Sequence, residues 1–87
     1  MPFNREALKE LRKRQEWSRL EFALKFSKFL EQNWPDRLKI SYSENAIYLW
    51  EEGTNVPRIF EAIDPLYIFA RVLGHSDLEF YVKPFGS

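Results

Sequence analysis

Apolar residues recur at helical spacing in four separate stretches of this 87-residue chain, and this periodicity limits the fold more than any other feature. The stretches are Ala7 to Leu11, Phe22 to Leu30, Ala46 to Trp50 and Leu66 to Leu73. Residues three and four apart lie on one face of an α-helix, so each stretch predicts a helix with one buried side. We therefore expect an all-α fold.

The length predicts a single domain over residues 1–87, because a chain this short supports one small core. Such a core is marginal unless it is dense in large apolar groups. In this chain 45% of residues are hydrophobic and 17% are aromatic. Folding without disulfides or metals is therefore expected.

Residues with short polar side chains precede the apolar stretches and can cap helices, because their side-chain oxygens accept hydrogen bonds from first-turn amides. They are Asn4, Ser18, Ser43, Asp64 and Ser76. The expected helix ends are about Gln15, about Asn33, Gly53 and Gly74, and a last short helix or turn follows Ser76. This gives about five helices. Pro35 to Tyr42 is a connector without a predicted structure, and Arg58 to Ile63 fits either a helical turn or an extended segment.

Two of these caps have further support from the residues around them. Ser18 is followed by Glu21 in the spacing of a capping box, and Trp17 stands where a hydrophobic staple begins. Ser76 and Glu79 repeat the box spacing. Asp64 precedes Pro65, a residue favoured in the first turn of a helix.

Several chemistries lack the residues they require. The chain has no Cys and one His, so a disulfide framework, a thiolate metal site and an imidazole cluster are excluded. Glu51 and Glu52 are adjacent and do not face each other on a helix, and the three glycines are too far apart for a phosphate loop. His75 has no candidate nucleophile beside it and is interpreted as a half-buried core residue. We expect no enzymatic activity and no cofactor.

Charge and hydropathy indicate where the protein acts. No apolar stretch approaches the roughly 20 residues that span a bilayer, and Met1 to Glu6 lacks the pattern of a signal peptide. We expect a cytoplasmic protein without membrane contact.

Thirteen basic and thirteen acidic side chains give a net charge of +0. Nucleic-acid binding has no support from bulk charge, and must rest on motif and geometry.

The order of the motifs is informative. It runs Leu8-x-x-Leu11-Arg12, Trp17-Ser18-x-x-Glu21-Phe22-Ala23, Ser43-Glu44-Asn45-Ala46-Ile47-Tyr48-Leu49-Trp50-Glu51-Glu52-Gly53, Pro57, and Leu66-x-x-Phe69-Ala70-x-x-Leu73-Gly74-x-Ser76. This order resembles the phage-repressor-like helix-turn-helix family, which includes phage repressors, Cro proteins and many antitoxins. The resemblance covers nearly the whole chain. It implies a five-helix repressor-like domain with an elongated second helix and connector before the recognition helix.

The resemblance also implies a site on double-stranded DNA. In that family the helix at positions 43–52 enters the major groove. The residues implied to contact DNA are Ser18, Arg19, Ser43, Glu44, Asn45, Leu49, Asn55 and Arg58. Ser18 and Arg19 match phosphate-binding positions, and Asn55 and Arg58 are further backbone candidates. Glu44, Asn45 and Leu49 would face bases: Asn can bind adenine, Glu can accept from the cytosine amino group, and Leu can meet a thymine methyl.

Structural explanations stand beside these assignments. Glu44 is also favourable in a first turn because it faces the positive end of the helix dipole. Leu49 can pack on a neighbouring residue, and Tyr48 has the character of a partly buried surface aromatic. Arg12 and Glu51 match an ion pair that ties the first helix to the recognition helix in this family, so we expect both to be structural.

Two features depart from the family. Glu52 brings an anion to a position that approaches phosphate, and the stretch between Ser18 and Ser43 is roughly a dozen residues longer than in relatives. The connector at Gln32 to Tyr42 can contact DNA through Arg37 and Lys39, or form a protein or dimer surface through Phe29, Trp34 and Leu38.

The leading hypothesis is a sequence-specific DNA-binding regulator acting as a homodimer. The alternative is a helix-turn-helix module for protein interaction, such as an antitoxin-like partner.

Overall fold

The computed structural model describes residues 3–36 and 40–82. It contains α1 (Arg5–Arg14), α2 (Arg19–Asn33), α3 (Glu44–Glu52), a π-helical segment (Ile59–Ile63) and α4 (Asp64–Val72). The described residues form no β-strand, and the only extended pairing among them is an isolated bridge between Phe3 and Tyr81. The predicted all-helical fold is therefore confirmed. None of the helices in this part of the chain is long and apolar enough to cross a membrane.

The predicted starts of the first three helices are confirmed by their caps. The side-chain oxygens of Asn4, Ser18 and Ser43 accept from amides three residues ahead, at 3.3, 3.1 and 3.2 Å. The Glu21 carboxylate accepts from the Ser18 amide at 3.3 Å, which completes the capping box. The staple is also present, since the rings of Trp17 and Phe22 lie 6.1 Å apart. Local chemistry thus sets these three boundaries.

The start of α4 differs from the prediction that Asp64 caps it. The helical run begins earlier, at Ile59, and the amides of Ile63 and Asp64 donate to carbonyls five residues back. Asp64 makes no side-chain cap. In a regular α-helix the ring of Pro65 collides with the carbonyl four residues earlier, and the wider π turn relieves that conflict. Pro65 therefore lies inside a continuous helical run.

After Ser76 the sequence left a short helix or a turn open, and residues 76–82 contain a turn and no helix, so the count of about five helices is not confirmed. Ser76 and Asp77 form a turn, and the following residues are extended, with Leu78 and Phe80 buried and Glu79 exposed. The Asn4 amide donates to the Phe80 carbonyl at 3.0 Å, and the Asn4 side chain donates to the Glu79 carbonyl at 2.9 Å. These hydrogen bonds to the start of α1 favour extended backbone, and alternate burial is the pattern of an extended segment.

The core is centred on aromatic rings from α2 and α4. Phe69 lies 5.9, 5.6 and 4.9 Å from the ring centres of Phe22, Phe26 and Phe29. Trp17 also stacks on Phe69, at 6.0 Å between ring centres. Such offset and edge contacts add to the hydrophobic burial that holds α2 and α4 together.

The connector between α2 and α3 is attached to this core at both ends of its described part. Trp34 packs edge-on against Phe29 at 5.9 Å, and both side chains are half-buried against the core. Tyr42 stacks on Phe26 at 5.8 Å and meets Trp50 in an edge-on contact at 4.7 Å. Burial, with a contribution from the Glu61 carboxylate, raises the pKa of the Tyr42 phenol.

Phe29 and Trp34 therefore cover the core. Leu38, Arg37 and Lys39, the other connector residues proposed as contacts, lie outside the described residues.

Ser27 is the polar anchor of the connector, and its removal gives a first test. Its hydroxyl accepts from the Tyr42 amide at 2.8 Å and donates to the Tyr42 carbonyl at 3.3 Å. Ser27→Ala should lower the free energy of unfolding by about 1 to 2 kcal/mol, because a part-buried amide loses its partner. Denaturant unfolding and hydrogen exchange at the Tyr42 amide measure this. Ser41→Ala, at an exposed serine, is the matched control, and equal effects of the two variants would contradict the anchoring role.

Candidate nucleic-acid interface

The two faces of α3 have different chemistry. Ile47, Trp50 and Glu51 are buried against α1 and α2. The opposite side is exposed and carries Glu44, Asn45, Tyr48 and Glu52. Because residues four apart share a helix face, this side presents a continuous polar strip from the first turn to the last.

A buried ion pair holds α3 to α1. The Arg12 guanidinium donates to both carboxylate oxygens of Glu51, from Nε at 2.8 Å and from Nη2 at 2.9 Å. Glu51 is 0% exposed. Two parallel charge-assisted hydrogen bonds fix the distance and the angle between the groups. The predicted pairing of Arg12 with Glu51 is confirmed.

Arg19 joins the same carboxylate from the start of α2. The Arg19 Nε atom lies 3.5 Å from Glu51 Oε1. This nitrogen atom is buried and has no hydrogen-bond partner among the described residues. The Arg19 guanidinium lies over the Tyr48 ring, 5.0 Å from the ring centre. The charge of Glu51 and the face of Tyr48 thus both stabilise the cation, and one carboxylate connects all three helices.

Four of the exposed or half-exposed side chains come together at the start of α3. Arg19, Glu44, Asn45 and Tyr48 line a shallow depression of about 260 Å³. Glu44 and Asn45 were predicted to face bases, and the fold leaves both exposed. The depression is open to solvent and offers donors from Arg19 and Asn45 beside an acceptor from Glu44.

The remaining predicted contacts are placed differently. The hydroxyls of Ser18 and Ser43 are used as helix caps. Leu49 is half-buried on the flank of α3. Asn55 and Arg58 lie beyond the last turn, where they line a separate depression with Tyr42 and Trp50. The predicted residues therefore form two groups at opposite ends of α3.

Electrostatics at the exposed face are balanced. The helix itself contributes the carboxylates of Glu44 and Glu52 and contains no cation. Cations come from neighbouring helices: Arg19 beside the first turn, and Arg5, whose Nη1 donates to the Glu52 carbonyl at 2.9 Å. Arg5 caps the C-terminal end of α3, where a cation is favourable next to the helix dipole.

Tyr48 and Arg5 belong to this surface and were missed by the sequence analysis. Tyr48 stands one turn after Glu44, so the helical spacing places both on one face and could have found it. Arg5 is 47 positions from Glu52, and no sequence signal relates them.

Comparison of the chain with family models, with curated proteins and with solved structures finds no match. The resemblance to repressor-like proteins therefore rests on the motif residues, and the function they imply is taken up below as a proposal.

Arg12 and Arg19 both contact Glu51, and removing each in turn tests how much it contributes to holding α3 in place. Arg12→Met should lower the free energy of unfolding by about 3 kcal/mol, because a fully buried carboxylate loses its bidentate partner. Arg19→Met should cost clearly less, because its contact at 3.5 Å has no hydrogen bond. Adding Glu51→Met to Arg12→Met should recover part of the loss. Denaturant unfolding measures all three, and equal losses in the single and double variants would exclude the energetic coupling.

Proposed function

We propose that this protein is a sequence-specific DNA-binding transcription regulator that inserts α3 into the major groove. The supporting observation is the exposed first turn of a helix whose other side is fixed by Glu51 to α1 and α2. A B-form major groove admits one α-helix, and base readout requires side chains at its exposed N-terminal turn. Rigid attachment favours such readout, because little conformational freedom is lost on binding.

Base readout in this proposal centres on Asn45. Its side-chain NH2 can donate to N7 of one adenine while its amide oxygen accepts from the N6 amino group of the same base, a bidentate contact. Glu44, one position earlier, can accept from a cytosine amino group. Leu49 is half-buried and supplies at most an edge for a thymine methyl. The readout therefore covers few base pairs per copy of the chain.

Phosphate contacts in this proposal come from the two ends of the exposed face. Arg19 keeps 34% of its side chain exposed while Glu51 and Tyr48 fix its direction, and Arg5 keeps 52%. Two arginines per copy would displace few counterions from the DNA phosphates. The affinity for DNA should therefore depend only weakly on salt concentration. Glu44 and Glu52 oppose non-specific binding, which leaves base contacts to determine where the protein binds.

The carboxylates on α3 favour one second candidate, a protein-interaction module of the antitoxin-like kind. Glu44 and Glu52 flank Tyr48, which is 43% exposed. An aromatic side chain between two anions suits a basic protein surface, since aromatic residues concentrate binding energy in interfaces. In that case Glu44→Gln and Glu52→Gln would weaken association with the partner.

Substitutions on α3 test the DNA proposal. Asn45→Ala should cost about 1 to 3 kcal/mol on the preferred site and relax the preference at one base pair, because a bidentate base contact is lost. Glu52→Gln should strengthen binding to all sequences, most at low salt, because repulsion from phosphate is removed. Selection from randomised DNA followed by titration at stated salt measures both effects.

Glu79→Gln is the control for charge, since Glu79 is exposed on the C-terminal segment. It should leave DNA affinity unchanged. Unaltered DNA affinity in both α3 variants would contradict the DNA proposal, and loss of association with a protein partner in Glu44→Gln and Glu52→Gln would favour the second candidate.

A further inference from the structure

The outer side of α2 carries a groove that the proposed DNA contacts do not use. Leu24 is 62% exposed, and Lys28 and Glu31 follow at helical spacing on the same side. With Pro35 and Ile40 they line a groove of about 680 Å³ between α2 and the connector. An exposed leucine beside an apolar groove leaves hydrophobic surface in water, which burial against a partner would remove.

The groove carries two charged residues of opposite sign, Lys28 and Glu31. Within residues 3–36 and 40–82, neither Lys28 nor Glu31 takes part in an ion pair. Both are exposed, and they stand three positions apart with opposite charge. A helix with this pattern is complementary to an antiparallel copy of itself, because each cation then meets the other copy's anion.

We propose that a second copy of this chain docks here, with its α2 antiparallel to the first. The antiparallel register that sets Lys28 against Glu31 of the second copy also brings Leu24 to the C-terminal end of that copy's α2, which ends at Asn33 shortly before Pro35. Each Leu24 then enters the other copy's groove, beside Pro35 and Ile40. Charge and apolar contacts are satisfied in one register, and the two-fold axis passes midway between Lys28 and Glu31. This agreement favours a second copy over an unrelated partner.

The register also fixes the distance between the first turns of α3 in the two copies. Relating this distance to DNA rests on the proposed function. Arg19 lies about ten residues along α2 from the two-fold axis, or about 16 Å at the rise of an α-helix. The two starts of α2, with the first turns of α3 beside them, are then about 32 Å apart. Dimeric helix-turn-helix proteins bind half-sites roughly 34 to 36 Å apart on one face of DNA. The dimer therefore suits a two-fold operator.

Charge reversal tests the interface in the full chain without DNA. Sedimentation velocity should show a dimer for the wild type. Lys28→Glu alone and Glu31→Lys alone should each raise the dimer dissociation constant by about tenfold or more, because both symmetric contacts become repulsive. An equimolar mixture of the two variants should restore a dimer, since each contact then joins opposite charges. The double variant should also dimerise. Lys13→Glu, on the exposed side of α1, is the control and should behave as the wild type.

The outcomes separate this inference from the proposed function. A wild type that stays monomeric with and without DNA overturns the interface, as does a dimer that neither single reversal weakens. Restoration in the mixture supports it even if one variant alone is poorly folded, because circular dichroism on each sample reports folding separately. A dimer that responds to reversal and binds no selected DNA overturns the proposed function and leaves the interface standing.

Discussion

The ion pair between Arg12 and Glu51 is the contact on which the arrangement of the helices depends. It joins residues 39 positions apart, and it places a fully buried carboxylate where α1, α2 and α3 meet. Burying a charge is costly unless its hydrogen bonds are satisfied, so the fold must keep Arg12 in place whenever Glu51 is buried. The Arg12 Nη1 also donates to the Trp17 carbonyl at 3.3 Å, which fixes the turn into α2. One guanidinium thus sets both the α1–α3 contact and the start of α2.

This attachment explains how a long connector is compatible with a fixed α3. In a tight helix-turn-helix the short turn sets the angle between the two helices. Here the orientation of α3 comes from Glu51 on its inner side and from Tyr42 just before its cap. Ser27 holds Tyr42 by hydrogen bonds, and the Tyr42 ring stacks on Phe26 and packs edge-on against Trp50. Longer loops add only slowly to the entropic cost of closure. The long connector therefore leaves the position of α3 to side-chain contacts.

Capping residues and their spacing predicted the starts of the first three helices correctly. The same signals failed at Asp64 and Ser76, where other contacts in the chain determine the backbone conformation. Ser18, Glu21 and Trp17 act on neighbouring amides and rings, so their spacing predicted the start of α2 correctly. Asp64 and Ser76 have equally good local spacing. At Asp64 the run from Ile59 widened into a π turn ahead of Pro65, and after Ser76 the backbone hydrogen-bonded to Asn4 instead. At the candidate site, the resemblance placed Glu44 and Asn45 on the outer face of α3, and both are exposed there, whereas the contact of Arg5 with α3 depends on the folded chain.

The zero net charge and the proposed dimer are linked by the energetics of binding. A single copy presents two exposed carboxylates on α3 beside Arg19 and Arg5, so electrostatic attraction to phosphate contributes little. In the proposed complex, few base contacts per copy would leave a half-site weakly bound. Joining two copies through α2 makes the second half-site contact intramolecular, and its effective concentration multiplies the affinity without any new contact. Under both proposals, specificity would come from requiring two half-sites at one spacing, because charge alone would not retain either copy on DNA.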